Sequence, residues 1–181
     1  MRAKRVSKLL FAGILAGLGL ATSVIAAEPA VDVASRLRQV EDREQIRELI
    51  IGYGRTLDRR DFTAFAGLFA AQGGQWVGGF GTATGSAEIR KMMEERIGTG
   101  AGGSNFHVFT NESISLDGDR ATGLTKWLFV TQGADNRPSL VYLGHYDDTF
   151  VREPDGWKIQ RRVVYGDIPT QDPLAATTPG R

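Results

Sequence analysis

Few side chains in this sequence can move a proton near neutral pH. The chain carries two histidines, His107 and His145, and no cysteine. The strand pattern around His107 alternates, which puts its imidazole on the same face as Phe109 and beside apolar neighbours. Imidazole titrates near neutral pH, so it can take a proton from carbon next to an activating group and release it later. His107 is therefore a candidate general base; the alternative is a histidine that only hydrogen-bonds to backbone at a strand end.

Other polar and aromatic side chains are candidates for the same site. Asp58 lies at the end of the first predicted helix, and its alternative roles are those of a solvated turn residue or a cap. Trp76, Phe80, Trp127 and Tyr142 fit either a hydrophobic core or the wall of a ligand pocket. The sequence alone does not decide between these roles.

The sequence lacks the motifs of a dinucleotide site, a metal site or a catalytic thiol. Gly98, Gly100 and Gly103 match the letters of a dinucleotide-binding fingerprint, but they follow a helix and lead into a strand, which reverses the required order. The two histidines fall on separate predicted strands without metal-ligand spacing, so no metal site is expected. The absence of cysteine excludes thiol catalysis and thiolate metal sites.

The N-terminal segment predicts export. Residues 1–27 combine four basic side chains, an uncharged apolar run and small residues that suit cleavage after Ala26 or Ala27, the pattern of a secretory signal peptide. An uncleaved membrane anchor is the alternative.

Without this segment 18 of the 22 Lys and Arg residues remain against 21 Asp and Glu, a net charge of about −3. That charge, without a basic cluster, argues against a nucleic-acid partner. We expect an exported protein, periplasmic or secreted, with no membrane association after signal removal.

The elements that must position the candidate residues come in two blocks. Helical periodicity runs from Val33 to about Asp58, with a possible break at Glu41-Asp42. Asp61 and Ser86 are predicted caps of two further helices, the second of which runs to Ile97.

The second block has the period of strands. The predicted strands are Gln75–Phe80, Phe106–Leu116, Ala121–Thr131, Leu140–Arg152 and Trp157–Tyr165. Turns are predicted at Gly81–Gly85, at Asp117-Gly118-Asp119 and at Pro154-Asp155-Gly156. Helices followed by a meander of long strands indicate one α+β domain, residues 28–168, followed by a flexible tail, residues 169–181.

Several motifs together resemble one known family. The carriers of the resemblance are Ile46-Arg47-Glu48-Leu49 through Tyr53 to Asp58, Phe65, Leu68-Phe69, Trp76, Asn105 to Asn111, Asp117 to Ala121, Tyr146-Asp147-Asp148 and Asp155 to Ile159. They resemble the SnoaL-like members of the nuclear transport factor 2 (NTF2-like) superfamily. The spacing is most similar to the branch of scytalone dehydratase and hexachlorocyclohexane dehydrochlorinase.

The resemblance implies a fold and a site. The fold would be a cone, in which a curved antiparallel sheet carries three N-terminal helices on its concave face. Asp58 and His107 match the Asp-His pair of that branch, and Arg162 matches an active-site arginine, although it could equally pair with Asp147 or Asp148. Tyr53 stands where the dehydrochlorinase has a lysine, so it would either donate a hydrogen bond to substrate or pack in the core.

Two functions follow from the resemblance. The first is a cofactor-independent lyase or isomerase of dehydratase type, with His107 and Asp58 catalytic and with Tyr53, Trp76 and Arg162 contacting a small, largely apolar substrate. The second is an exported, non-catalytic module that uses the same cone to bind a small ligand. The resemblance also implies a homodimer or a homotrimer.

Overall fold

The computed structural model describes residues 32–100 and 103–171. The predicted signal peptide lies outside the described residues, as does the predicted tail from residue 172 onward. None of the helices in the described ranges is long and apolar enough to cross a membrane.

In the part of the chain that the structure describes, three helices precede or interrupt the strands, as predicted. They are α1 (Val33–Arg59), α2 (Phe62–Ala66) and α3 (Ser86–Ile97). The Asp32 carboxylate accepts from Ala34 N–H and the Asp61 carboxylate accepts from Ala64 N–H, so both aspartates cap their helices. Burial of an apolar stripe around Ile46 and Ile50 holds α1 against the sheet.

Two local expectations about the helices are wrong. The first helix continues without a break through Glu41-Asp42, because Arg152 and Trp157 bind the Asp42 carboxylate and it does not compete for the helix backbone. The third helix is preceded by Gly85 at the cap position, with no side-chain cap, and Ser86 lies inside the helix. Gly85 has a φ of 85°, a conformation that suits glycine and leaves no capping role for the serine.

Within the described residues, seven strands form one sheet. They are β1 (Gln75–Gly78), β2 (Gly81–Thr84), β3 (Asn105–Asp117), β4 (Arg120–Gln132), β5 (Pro138–Glu153), β6 (Gly156–Ile168) and β7 (Thr170–Gln171). The order is β2-β1-β6-β5-β4-β3, with β7 paired to β6. The stretch expected to be a turn at Gly81–Gly85 is therefore mostly strand, and β7 lies within the stretch expected to be tail.

The sheet is mixed. Strands β3 to β6 form the predicted antiparallel meander, whereas β1 pairs parallel to β6 through Trp76 and Arg162. Register shifts at Thr110/Ser113, Phe129/Val130 and two places along β5 curve the sheet. Helix α1 packs against β3 and β6, so the core lies between the helices and the concave face. The result is the predicted α+β cone.

Candidate active site

The residue pair predicted to do chemistry is brought together by α1 and the edge strand β3. His107 Nδ1 lies 2.6 Å from Asp58 Oδ1. Both side chains are largely shielded, with 12% of His107 and 18% of Asp58 exposed. The pair spans 49 residues of sequence, so only the packing of the last turn of α1 against β3 creates it.

Further contacts fix the carboxylate of Asp58. Asn105 Nδ2 donates to Oδ1 at 2.7 Å, and the backbone N–H of His107 donates to Oδ2 at 3.0 Å. Since an ionised carboxylate only accepts, the Nδ1 of His107 must be the donor in their contact. In the neutral imidazole this leaves Nε2 unprotonated and able to accept a proton.

A glycine in α1 permits this close approach. A Cβ atom on Gly54 would lie 2.7 Å from Cε2 of Phe109 and 3.2 Å from Cβ of His107. Any side chain at position 54 would therefore push the helix away from β3 or move the imidazole. The glycine sets the distance between Asp58 and His107.

The imidazole faces a cavity of about 440 Å³, a size typical of small-molecule sites. Aromatic rings form most of its wall: Trp76, Phe80, Trp127, Phe129, Tyr142 and Tyr146. The ring of Phe129 lies 4.8 Å from that of His107, centroid to centroid. The cavity therefore combines one base with a mainly apolar lining.

Tyr53 and Trp76, both predicted ligand contacts, line the cavity together. Trp76 Nε1 donates to the phenol oxygen of Tyr53 at 2.8 Å. Burial raises the pKa of Tyr53, so its phenol keeps its proton. Because the indole already occupies one lone pair, the O–H of Tyr53 remains as a donor for a ligand oxygen.

Arg162, the third predicted contact, lies behind the wall. It has no exposed surface and does not line the cavity. Its Nε and Nη2 donate to the two oxygens of Asp148 at 2.8 and 2.6 Å, which is the ion pair considered as its alternative role. Burial alone would lower the pKa of Arg162, but Asp148 outweighs burial and raises it, so the guanidinium stays charged. The geometry favours an indirect role over contact with a ligand.

That indirect role is visible in the ring contacts. The guanidinium carbon of Arg162 lies 4.1 Å from the ring centroids of both Tyr53 and Tyr146. A cation between two aromatic faces attracts both of them. Arg162 therefore fixes two cavity rings from behind.

The other histidine belongs to a different surface. His145 Nδ1 lies 2.7 Å from Asp167 Oδ1, and Lys126 Nζ donates to Asp167 Oδ2 at 2.8 Å. Hydrogen bonding by Lys126, followed by His145, lowers the pKa of Asp167. His145 has the opposite strand parity from Tyr146 and does not line the cavity.

Three residues of the site were not predicted as site residues from the sequence. Asn105 holds Asp58, Tyr146 lines the cavity with a phenol whose pKa is raised by burial, and Arg60 lines the cavity beyond the end of α1. Asn105 could have been found, because it lies two residues before His107 and so on the same strand face. Within the described residues, no group of three or more His, Cys, Asp or Glu side chains could hold a metal ion.

Comparison with known proteins confirms the family. A model of the SnoaL-like domain matches residues 38–163, so the chain belongs to the SnoaL-like family. Uncharacterized proteins of Mycobacterium tuberculosis and Mycobacterium bovis are 30% identical over 131 residues, which cover 69% of this chain and 85% of each relative.

Solved structures show the same fold. An NTF2-like protein with a cystatin-like fold from Novosphingobium aromaticivorans has a TM-score of 0.71 and 27% identity, covering 82% of this chain and 97% of that one. LinA, the hexachlorocyclohexane dehydrochlorinase, has a TM-score of 0.63 and 19% identity, covering 74% and 90%. A candidate scytalone dehydratase from Novosphingobium aromaticivorans has a TM-score of 0.59 and 23% identity, covering 73% and 87%.

Proposed function

We propose that this protein is a cofactor-independent lyase or isomerase that removes a proton from carbon in a small, largely apolar molecule. One observation carries the proposal: the His107 imidazole is held by Asp58 at 2.6 Å and lines a cavity with mainly aromatic walls. The fold is shared with LinA and with a candidate scytalone dehydratase, whose names denote elimination reactions.

The chemistry follows from the two ring nitrogens. Nε2 of His107 takes the proton, and the electron pair of the broken C–H bond forms a new double bond. In an elimination, the leaving group on the adjacent carbon departs with its bonding pair; in an isomerisation, the proton returns to a different carbon. Asp58 stabilises the imidazolium that forms and maintains the productive tautomer.

The phenol of Tyr53 would serve the other end of the substrate. Its free O–H can donate to a carbonyl or hydroxyl oxygen, which stabilises negative charge that develops there. Trp76 directs this phenol and provides an apolar wall. Arg162 would act through the rings of Tyr53 and Tyr146 without touching substrate.

Hydrogen exchange at carbon tests the proposal directly. The protein is incubated in D₂O with cyclic β-hydroxy ketones, and mass spectrometry follows deuterium uptake next to the carbonyl and loss of water. His107→Gln should lower either rate by about 10²- to 10⁴-fold, the usual contribution of a general base. His145→Gln is the matched control and should leave the rates unchanged, because His145 lies outside the cavity.

The pH dependence gives a second criterion. kcat/KM should rise with pH and then level off, because only the neutral imidazole can take a proton. A flat profile, or His107→Gln with undiminished turnover, would remove His107 as the base. If compounds bind without any turnover and His107→Gln changes only affinity, the protein is a binding module instead.

A further inference from the structure

Arg60 is the one permanently charged side chain among the described residues that line the cavity. The other ionisable groups there are His107 and the phenols of Tyr53, Tyr142 and Tyr146. No Asp or Glu of the described ranges is part of the lining, because Asp58 faces an outer groove on the far side of His107. The cavity is therefore aromatic with a single fixed positive charge.

Within the described ranges, no salt bridge neutralises this positive charge. Arg60 makes one long hydrogen bond, from Nη1 to the Gly98 carbonyl at 3.5 Å, and has no ion pair within residues 32–100 and 103–171. The neighbouring carboxylates are committed elsewhere: Asp58 binds His107 and Asn105, and Asp61 caps α2. A cation without a counter-ion in a concave, low-dielectric wall attracts an anion.

The backbone at Arg60 is unfavourable for an arginine. Arg60 is the C-cap of α1 with φ 58° and ψ 30°, and its N–H donates to the Leu57 carbonyl at 3.0 Å. Glycine is the usual residue in this left-handed conformation, since side chains there are strained. A glycine would end the helix more easily, but it would leave the cavity without its cation.

We propose that the cavity accepts small aromatic carboxylates, whose carboxylate group is bound by Arg60 while the ring packs against the aromatic wall. A planar guanidinium matches a carboxylate with two parallel hydrogen bonds, which a neutral amide of the same shape cannot reproduce. The inference names the substrate class of the site proposed above and rests on that function only for its catalytic meaning.

Two isosteric probes test the inference: 2-naphthoate and the neutral 2-naphthamide, titrated calorimetrically into the full-length protein. The wild type should bind naphthoate about tenfold or more tighter than naphthamide, because a charge-assisted pair replaces a neutral contact. Added salt should weaken the binding of naphthoate alone. Equal affinities, or no binding of naphthoate, would overturn the inference.

Variants at two adjacent arginines locate the effect. Arg60→Gly should abolish the preference for naphthoate and should be at least as stable to heat as the wild type, since glycine relieves the left-handed backbone. Arg59→Gln removes the same charge from an exposed side chain outside the cavity and should keep the preference. If both variants weaken naphthoate equally, the effect is general electrostatics and the inference fails.

The test of carboxylate binding can fail independently of the test of the proposed reaction. His107→Gln should retain the preference for naphthoate, because Arg60 is unchanged. If His107→Gln loses hydrogen exchange but the wild type shows no preference for naphthoate, the proposed lyase or isomerase activity stands and the carboxylate inference fails. If the wild type clearly prefers naphthoate but turns over no compound, the carboxylate inference stands and the proposed activity fails.

Discussion

At the scale of residues, Asp58 decides what the imidazole of His107 can do. Its two oxygens accept from Asn105, from the backbone of His107 and from the imidazole itself. An asparagine at position 58 could still accept from the backbone, but its amide would no longer oblige Nδ1 to carry the proton. Charge and tautomer control would be lost together, while the local fold would remain.

Asp58→Asn should therefore reduce turnover by about 10²- to 10⁴-fold. It should also change the tautomer of His107, which ¹⁵N NMR of the imidazole reports without any substrate. The chain has only two histidines, so the signals can be assigned with His145→Gln. Unchanged imidazole shifts in Asp58→Asn would contradict the role assigned to the carboxylate.

The control lies three residues away. Asp61→Asn removes a charge near the same helix end but keeps the cap of α2, because asparagine caps as well as aspartate. We expect neither the tautomer nor the rate to change. A comparable loss in both variants would point to the net charge of this region instead of a specific contact.

The pairing of Asp58 with His107 could be predicted only by resemblance, since 49 residues separate them and periodicity places each on its own element. Their burial and contact confirm that the two positions meet. Arg60 could not be predicted as a site residue. It lies at the C-cap of α1 in a left-handed conformation, and sequence patterns predict glycine, not arginine, at such a position. Arg162 was foreseen as an important position, while its burial depends on the register of β6 against β5 and β1.

At the scale of elements, the contact between α1 and β3 holds the site together. Gly54→Ala would place a methyl group 2.7 Å from the ring of Phe109, so the strand or the helix must shift. We expect a loss of about 1–3 kcal/mol in the free energy of unfolding, typical of overpacking, and altered imidazole shifts for His107. Urea denaturation and NMR measure the two effects.

Gly52 provides the matched control on the same helix. A Cβ there would lie 3.6 Å from the nearest atom of Leu68, which is ordinary contact. Gly52→Ala should be neutral or stabilising by up to about 1 kcal/mol, because alanine favours the helix. If Gly54→Ala behaves like Gly52→Ala, the close approach does not set the geometry of the site.

Most elements follow from the sequence because their periods differ clearly. The helices and the meander of β3 to β6 were predicted by alternating or helical spacing and by turns such as Asp117-Gly118-Asp119. The parallel pairing of β1 with β6 was not predicted, since its partners are 86 residues apart and periodicity carries no pairing information. Short elements such as β2 and β7 carry too few residues to show a period.

At the scale of the whole molecule, the outer face of the sheet carries exposed apolar side chains. Phe106, Val108 and Leu124 point away from the cavity and are 66%, 46% and 42% exposed. Exposed apolar residues that cluster on one face are typical of a contact surface. We therefore propose that the protein self-associates through this face as a homodimer or a homotrimer.

Light scattering should show a mass above that of the monomer at micromolar concentration. Leu124→Glu should reduce the mass, because a buried unpaired charge opposes association. Val40→Glu is the control, since Val40 is exposed on α1 and away from the sheet. A monomeric wild type would reject the proposal.

A partly exposed ion pair joins α1 to the β5–β6 hairpin and makes stability depend on pH. Arg152 donates from Nη1 and Nη2 to the two oxygens of Asp42, each at 2.7 Å, and Trp157 Nε1 adds a bond at 3.0 Å. The hydrogen bond from Arg152 holds the pKa of Asp42 below its usual range, although burial opposes this shift. A carboxyl group whose pKa falls on folding stabilises the folded state fully above its unfolded pKa, and this contribution is lost as the pH falls through its folded pKa.

Asp42→Asn should therefore lower the free energy of unfolding by about 1–2 kcal/mol at pH 7, as expected for hydrogen bonds to a charged group. The difference from the wild type should persist above about pH 5 and shrink as the pH falls below about 4, because the carboxyl group of the unfolded chain then takes up a proton while the folded one does so only at a lower pH. Asp119→Asn is the matched control, since Asp119 binds the Nε of the same arginine but is 80% exposed. Its effect should be well under 1 kcal/mol, as for other exposed pairs. Urea denaturation of the three proteins at pH 7 and pH 3 measures these differences. If Asp42→Asn lowers the free energy of unfolding equally at both pH values, the charge of Asp42 does not stabilise the contact between α1 and the hairpin.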